Sequence, residues 1–147
     1  LDPKRLAEAE IASAMEDPSR RVLSLRYKDR FGDAGLVGAA VLSLEGRTVR
    51  VETFLLSCRI IGLGVEEALL HAAAAEAPEG GTALFLPFRE TARNQPARGW
   101  VESMGTLERD RSGVFLSLDR LPPPPSWVRI EPVESPPADL VEAAHAR

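Results

Sequence analysis

The chain has 147 residues, of which 44% are hydrophobic and 27% are charged, a composition typical of a single globular domain with a core of ordinary size. The net charge is −4 and the 18 lysines and arginines are scattered, which argues against a nucleic-acid-binding protein. No apolar run approaches the ~18 residues of a transmembrane helix. One cysteine and two histidines exclude an internal disulfide, make a metal site unexpected and favour a reducing, cytoplasmic location.

The first half of the sequence predicts one helix followed by a three-stranded meander. The helix is expected over residues 3–16, because Asp2 can cap it and Pro3 occupies the favoured first position. Alternating and apolar runs then predict three strands, with turns at 31–35 and 45–47 between them. The predicted strands are 21–27, 36–44 and 48–57.

The second half alternates helices and strands and then becomes rich in proline. It predicts, in order, a loop at 58–64, a helix at 64–77, a strand at 82–88, a helix at 96–104 and a strand at 114–118. We expect a domain over 1–121 and a proline-rich tail over 122–147, anchored by Trp127 and ending in a short helix at 138–146. The order of elements predicts an α/β (α+β) layout around one sheet.

The loop at 58–64 is the most informative segment. An apolar strand runs into Arg59-x-x-Gly62-x-Gly64, and a helix follows at once. Small residues let the backbone approach an anion, and the start of a helix adds a partial positive charge. This layout suits the pyrophosphate of coenzyme A or the single phosphate of phosphopantetheine. The alternative is an ordinary strand-to-helix turn that needs glycines. A Walker loop and a dinucleotide fingerprint do not fit the spacing.

A second segment strengthens the ligand interpretation. Asn94, Ala97, Trp100 and Gly105 fall in the register Asn-x-x-Ala-x-x-aromatic, followed by glycine. Together with the loop, this segment resembles the coenzyme A-binding motifs of the GCN5-related N-acetyltransferase superfamily. The resemblance implies a central mixed sheet flanked by helices, and coenzyme A or acyl-CoA as the ligand. It also implies a set of ligand-binding residues: Leu56, Ser57, Arg59, Ile60, Ile61, Gly62, Leu63, Gly64, Val65 and Asn94.

One position departs from the superfamily. Val101 stands where these enzymes usually carry the tyrosine that protonates the leaving thiolate. Valine has no proton to give. Either another group does this, or the domain has no such step.

A longer stretch resembles a narrower family. Residues 21–38, together with 54–62, closely resemble the FkbH-like proteins, and the likeness extends over about residues 5–127. Those proteins join a phosphatase-type domain to an acetyltransferase-like domain and load a glyceryl group on an acyl carrier protein for polyketide biosynthesis. The resemblance implies acyl transfer to the carrier's phosphopantetheine thiol, with the carrier protein as partner. The phosphatase's Asp-x-Asp segment is not in this sequence, and the first residue is Leu, so we expect a part of a longer protein.

Two other functions stay open. A module that binds coenzyme A or a carrier protein without catalysis would explain Val101. The second alternative is an ordinary acetyl-CoA-dependent N-acetyltransferase, and Val101 argues against this alternative.

Two residues are candidates for catalysis. Cys58 follows the strand and could act as a nucleophile, because Arg59 and the helix N-terminus favour a thiolate; the alternative, which we favour, is a small buried hydrophobe. Glu52 lies on the strand that supplies the general base in many acetyltransferases; the alternative, which we also favour, is an outward charge on an alternating strand. Trp100 is expected in the core, and His71 on a helix face.

Overall fold

A computed structural model describes residues 8–89 and 95–132 of the chain. The elements alternate much as the sequence predicts. The helices are α1 (Glu8–Glu16), α2 (Val65–Ala75) and α3 (Gln95–Ser103), with a short 3₁₀ turn at Leu118–Arg120. The strands are β1 (Arg20–Asp29), β2 (Gly32–Glu45), β3 (Thr48–Leu56), β4 (Ala83–Pro87), β5 (Thr106–Arg109) and β6 (Gly113–Ser117). None of the helices in these ranges is long and apolar enough to cross a membrane.

All six strands form one mixed sheet in the order β1-β2-β3-β4-β6-β5. The pairs β1–β2, β2–β3, β4–β6 and β5–β6 are antiparallel. Strands β3 and β4 are parallel, joined by the crossover helix α2. The carboxyl ends of β3 and β4 therefore lie at the same edge of the sheet, and the turn between β5 and β6 lies at that edge too, because Gly113 pairs with Pro87 at the end of β4.

The parallel pair separates soon after it forms. Pairing runs only from Thr48 with Ala83 to Arg50 with Phe85, although β3 continues to Leu56. A β-bulge follows on β3, because Val41 pairs with Thr53 and Leu42 pairs with Val51. A bulge bends its strand and increases the local twist. The sheet therefore opens between β3 and β4 at their carboxyl edge.

The main core lies between the sheet and helices α2 and α3. Leu69, Leu70 and Ala73 of α2 and Val101 and Met104 of α3 pack against the sheet. The sheet contributes apolar side chains that are at most 5% exposed, and Phe88, which follows β4, joins them: Ala40, Leu42, Val49, Val51, Phe54, Leu84, Leu86, Val114 and Leu116. The bulge explains why both Val51 and Phe54 reach this core, since one extra residue reverses the alternation of faces.

The structure corrects several predicted boundaries and adds one strand. Strand β2 begins at Gly32, so most of the expected turn at 31–35 is extended chain. Sequence reasoning missed β5, a four-residue edge strand with three exposed positions and no apolar alternation. Short, charged edge strands resist edge-to-edge association and give little periodic signal. The predicted helix start at 3–7 and the terminal helix at 138–146 lie outside the described residues.

Replacing a buried leucine should destabilise the protein far more than replacing an exposed one. Leu84→Ala removes a fully buried side chain from the central strand β4, and we expect a loss of about 2–5 kcal/mol in the free energy of unfolding. Leu107→Ala, at a side chain that is 52% exposed, should change it by less than about 0.5 kcal/mol. Urea denaturation of both variants tests this, and equal losses would contradict the assigned core.

Candidate functional site

The loop between β3 and α2 lies at the carboxyl edge of the sheet, beside the opening between β3 and β4. It turns through two glycines in the left-handed region, Gly62 at φ 85° and Gly64 at φ 80°. The side chains of Ile60 and Val65 are buried and pack with Val37 in a small satellite cluster. Of the predicted ligand-binding residues, these two can therefore offer only backbone groups to a ligand.

Three other loop residues, Arg59, Ile61 and Leu63, are exposed. Arg59 lies near Ser57, whose hydroxyl oxygen is 3.5 Å from both the backbone N and the Nε of the arginine. At that length the contacts are weak, and the guanidinium is available at the surface of the loop. Asn94, the predicted contact to the pantetheine arm, lies outside the described residues.

The backbone of the loop is largely satisfied by the protein itself. The N–H of Ile60 donates to the carbonyl of Ser57 at 3.1 Å, and the N–H of Leu63 donates to the carbonyl of Ile60 at 3.2 Å. The N–H of Gly62 donates to Oε1 of Glu66, in the first turn of α2. The other carboxylate oxygen, Oε2, is buried and makes no hydrogen bond within the ranges described. The loop thus binds an anion, and that anion is the protein's own carboxylate.

Sequence reasoning missed Glu66. A carboxylate near a helix N-terminus is favourable because it faces the positive end of the helix dipole. The available signal was an acidic residue four positions after a loop glycine, which is the separation that brings the side chain back over the loop.

The proline-rich tail lies along α2 and reaches the same loop. Nε2 of His71 donates to the carbonyl of Pro122 at 2.6 Å, which ties the start of this segment to the helix. Pro125 packs on Gly64, where a Cβ would lie 2.5 Å from Cγ of the proline. The indole N–H of Trp127 donates to the carbonyl of Leu63 at 3.3 Å, while 77% of the residue stays exposed. Gly64 is therefore required both by its backbone angle and by the tail.

Glu52 and Thr53 lie at the bulge, where β3 leaves β4. Glu52 is the extra residue of the bulge, half-buried and ion-paired with Arg20 of β1. The side chains of β3 alternate between half-buried and buried from Thr48 to Thr53, and Glu52 is one of the half-buried ones, as expected for an outward charge on an alternating strand. Thr53 is 3% exposed, and its hydroxyl makes no hydrogen bond within the described part of the chain. A buried hydroxyl of this kind is costly unless it finds a partner, such as a ligand.

Cys58 is exposed, so the expectation that it is a small buried hydrophobe is wrong. It follows β3 directly, and the loop turns outward at this point. Nε2 of His71 is engaged by the carbonyl of Pro122.

Helix α3 contributes to the core rather than to an open site. Val101 is fully buried, so the position of the superfamily's tyrosine points into the core in this chain. Trp100 packs against the core with its ring centroid 6.2 Å from that of Phe54. Its indole N–H donates to Oε1 of Glu67 on α2 at 3.0 Å. This bond links the two helices across the core.

Two aspartates, Asp29 and Asp33, stabilise the surface turn between β1 and β2. Oδ1 of Asp29 accepts the N–H groups of Phe31 and Gly32, and Oδ1 of Asp33 accepts the N–H of Gly35. That bond from Gly35 is the main cause that lowers the pKa of Asp33 below its ordinary value. Among the described residues no group of three or more histidine, cysteine, aspartate or glutamate side chains is placed to hold a metal ion.

Comparison with known proteins places the fold. No protein-family model matches the chain, and no curated protein sequence matches it significantly. Solved structures do. The ribosomal-protein-S18-alanine N-acetyltransferase from Escherichia coli superposes with a TM-score of 0.60 at 17% identity, over 80% of each chain. A putative acetyltransferase of the GNAT family from Desulfovibrio desulfuricans gives 0.56 at 17% identity, over 75% of this chain and 73% of the other.

The third structure, the PaiA N-acetyltransferase from Thermoplasma acidophilum in complex with coenzyme A, gives a TM-score of 0.51 at 14% identity. The match covers 74% of this chain and 66% of that one. The chain has the GCN5-related N-acetyltransferase fold. The fold predicted from the loop and the 94–105 segment is thereby confirmed.

A matched pair of glycine variants should distinguish two reasons for glycine in the loop: the positive φ angle and the contact with Pro125 of the tail. Both glycines have positive φ, so alanine at either costs about 1–2 kcal/mol. A Cβ at Gly62 meets nothing within 4 Å, whereas one at Gly64 collides with Pro125. We expect Gly64→Ala to destabilise the protein more than Gly62→Ala, and to shift the NMR signal of the Trp127 indole N–H because the bond to Leu63 is lost. An unmoved indole signal in Gly64→Ala would refute the tail contact.

Proposed function

We propose that this domain binds an acyl-CoA thioester and transfers the acyl group to an amine. The observation that carries the proposal is the opening between β3 and β4, which has a helix N-terminus and its glycine loop at one end and the buried hydroxyl of Thr53 and the carboxylate of Glu52 at the bulge. The opening thus combines an anion-binding loop with an unpaired strand edge, and β3 itself carries a candidate base.

The residues present fit coenzyme A, provided that one internal group moves. Gly62 presents its N–H at the start of α2, and Arg59 adds a full positive charge at the surface of the loop. The carboxylate of Glu66 occupies that N–H and repels a phosphate, so it must turn away when the ligand binds. The unpaired edge of β3 beyond Val51 offers backbone groups to the extended amide-containing arm of the cofactor.

When bound, coenzyme A supplies the acyl group as a thioester. In this proposal the half-buried carboxylate of Glu52 accepts the proton that the acceptor amine loses. Arg20 holds that carboxylate in place through their ion pair. Val101 cannot protonate a departing thiolate. In this proposal Glu52 passes the proton that it takes from the amine to the leaving coenzyme A thiolate.

A second candidate is transfer of a glyceryl or other acyl group to the phosphopantetheine thiol of an acyl carrier protein, as the FkbH-like resemblance implies. The observation that favours it is the apolar rim around the loop. Leu55, Ile61, Leu63 and Trp127 are between 42% and 77% exposed, which is unusual for large apolar side chains grouped at one site. Such a rim suits a ligand that arrives on a protein rather than free in solution.

Two substitutions with opposite expected signs test the phosphate loop. Arg59→Gln should weaken the binding of acetyl-CoA about three- to tenfold, because a cation facing the pyrophosphate is lost. Glu66→Gln should strengthen it by a similar factor, because the competing carboxylate is neutralised while the side chain keeps its shape. Isothermal titration calorimetry measures both. Glu79→Gln, an exposed glutamate beyond the other end of α2, is the control and should leave the affinity unchanged.

Loss of affinity in Glu66→Gln would contradict the assigned position of the phosphates. Mass spectrometry then separates the two candidate functions. Acetylation of small amines by acetyl-CoA supports the first, whereas acylation of a phosphopantetheinylated carrier protein without amine acetylation supports the second. Binding of acetyl-CoA without either product would contradict both transfer reactions and indicate a non-catalytic binding module.

A further inference from the structure

A second cavity, of about 240 Å³, lies at the same edge of the sheet as the phosphate loop. It is lined by Phe88 and Arg89, which follow β4, and by Arg109, Asp110 and Arg111, which end β5 and begin the turn to β6. Because β3 and β4 are parallel neighbours, this cavity lies beside the end of β4 as the loop lies beside the end of β3. The opening between the two strands separates them.

The lining carries three guanidinium groups and one carboxylate, a formal charge of about +2. The carboxylate is committed to its own turn. Oδ1 of Asp110 accepts the N–H and hydroxyl of Ser112, both at 2.7 Å, and the N–H of Gly113 at 2.9 Å. The hydrogen bond from the Ser112 hydroxyl is the largest cause that lowers the pKa of Asp110 below its ordinary value. Asp110 therefore shapes the turn that presents Arg109 and Arg111.

Two contacts of Arg109 involve the elements around the cavity. Its guanidinium lies 5.7 Å from the ring centroid of the buried Phe88, and its Nη2 lies 3.8 Å from Oε1 of Glu102 on α3. Glu102 also pairs with Arg98 at 2.9 Å, so this carboxylate is shared between two guanidinium groups. The lining of the cavity thus combines one aromatic ring with three guanidinium groups.

We propose that this cavity binds an oxyanion, a carboxylate or a phosphate, carried by the acyl acceptor. The role of the cavity in catalysis rests on the proposed acyl transfer. The claim that it binds an anion rests on its lining alone. Guanidinium groups pair with both oxyanions through two parallel hydrogen bonds, and their convergence from two segments favours a planar or tetrahedral anion over a neutral group. A volume of this size admits a small anion with a few attached carbons. The acceptor preferred by this chain is therefore a small amine that bears a negative charge at the end remote from the nitrogen.

Direct binding of two anionic probes tests the cavity without coenzyme A. Inorganic phosphate and succinate are titrated into the ¹⁵N-labelled chain at constant ionic strength, and the amide signals of Ser112 and Gly113 report the site. We expect saturable shifts, and an affinity about fivefold weaker in Arg111→Gln and in Arg89→Gln. Arg47→Gln removes the same charge at the opposite edge of the sheet, in the β2–β3 hairpin, and should not change the affinity. The difference between phosphate and succinate identifies which oxyanion the cavity prefers.

A second experiment tests the role of the cavity in transfer. With acetyl-CoA as donor, 4-aminobutyrate and butylamine differ only in the carboxylate, and we expect a lower KM for 4-aminobutyrate by about tenfold. Arg111→Gln should abolish that preference through KM while leaving kcat unchanged.

The proposal is overturned if neither probe shifts the Ser112 and Gly113 signals, or if Arg47→Gln weakens binding as much as Arg111→Gln. An equal KM for the two amines, or a greater one for 4-aminobutyrate, also overturns it. If neither amine is acetylated while the probes still bind through Arg111, the proposed acyl transfer fails and the anion site stands.

Discussion

The separation of β3 from β4 is the constraint on which the rest of the site depends. Three residue pairs hold the two strands together, and the bulge at Glu52 then turns β3 away. A continuous parallel ladder would fill this edge with backbone hydrogen bonds and leave no room for a ligand. The bulge also moves Phe54 into the core, which fixes the end of β3 and therefore the start of the loop.

The loop itself is stabilised by side chains of the protein that cover it. Glu66 satisfies the N–H of Gly62, and Pro125 and Trp127 of the tail cover Gly64 and Leu63. Both interactions replace solvent at a helix N-terminus, where unsatisfied N–H groups are costly. The loop therefore combines a favourable helix dipole with a carboxylate of the same chain that already occupies it.

Much of the fold followed from local patterns. The meander, the crossover helix and the later helix were predictable because their apolar residues repeat with the periods of strands and helices, and because glycines mark the loop. Strand β5 was missed because Thr106–Arg109 is too short and too charged to show a period. The placement of Cys58 was misjudged for another reason, since its exposure depends on how the end of β3 packs rather than on the residues of β3 alone. The bulge at Glu52 was not predicted either, because it depends on how β3 pairs with β2.

The sequence by itself determined the order of most elements and the position of the glycine loop between β3 and α2, because backbone angles and hydrophobic periods are properties of neighbouring residues. The tertiary structure decided what surrounds that loop. It buried Val101 in the core, brought the tail back onto Gly64 and collected arginines from β4 and the β5–β6 turn around Phe88. These outcomes depend on strand register and on packing between distant segments, for which no local pattern in the chain carries a signal.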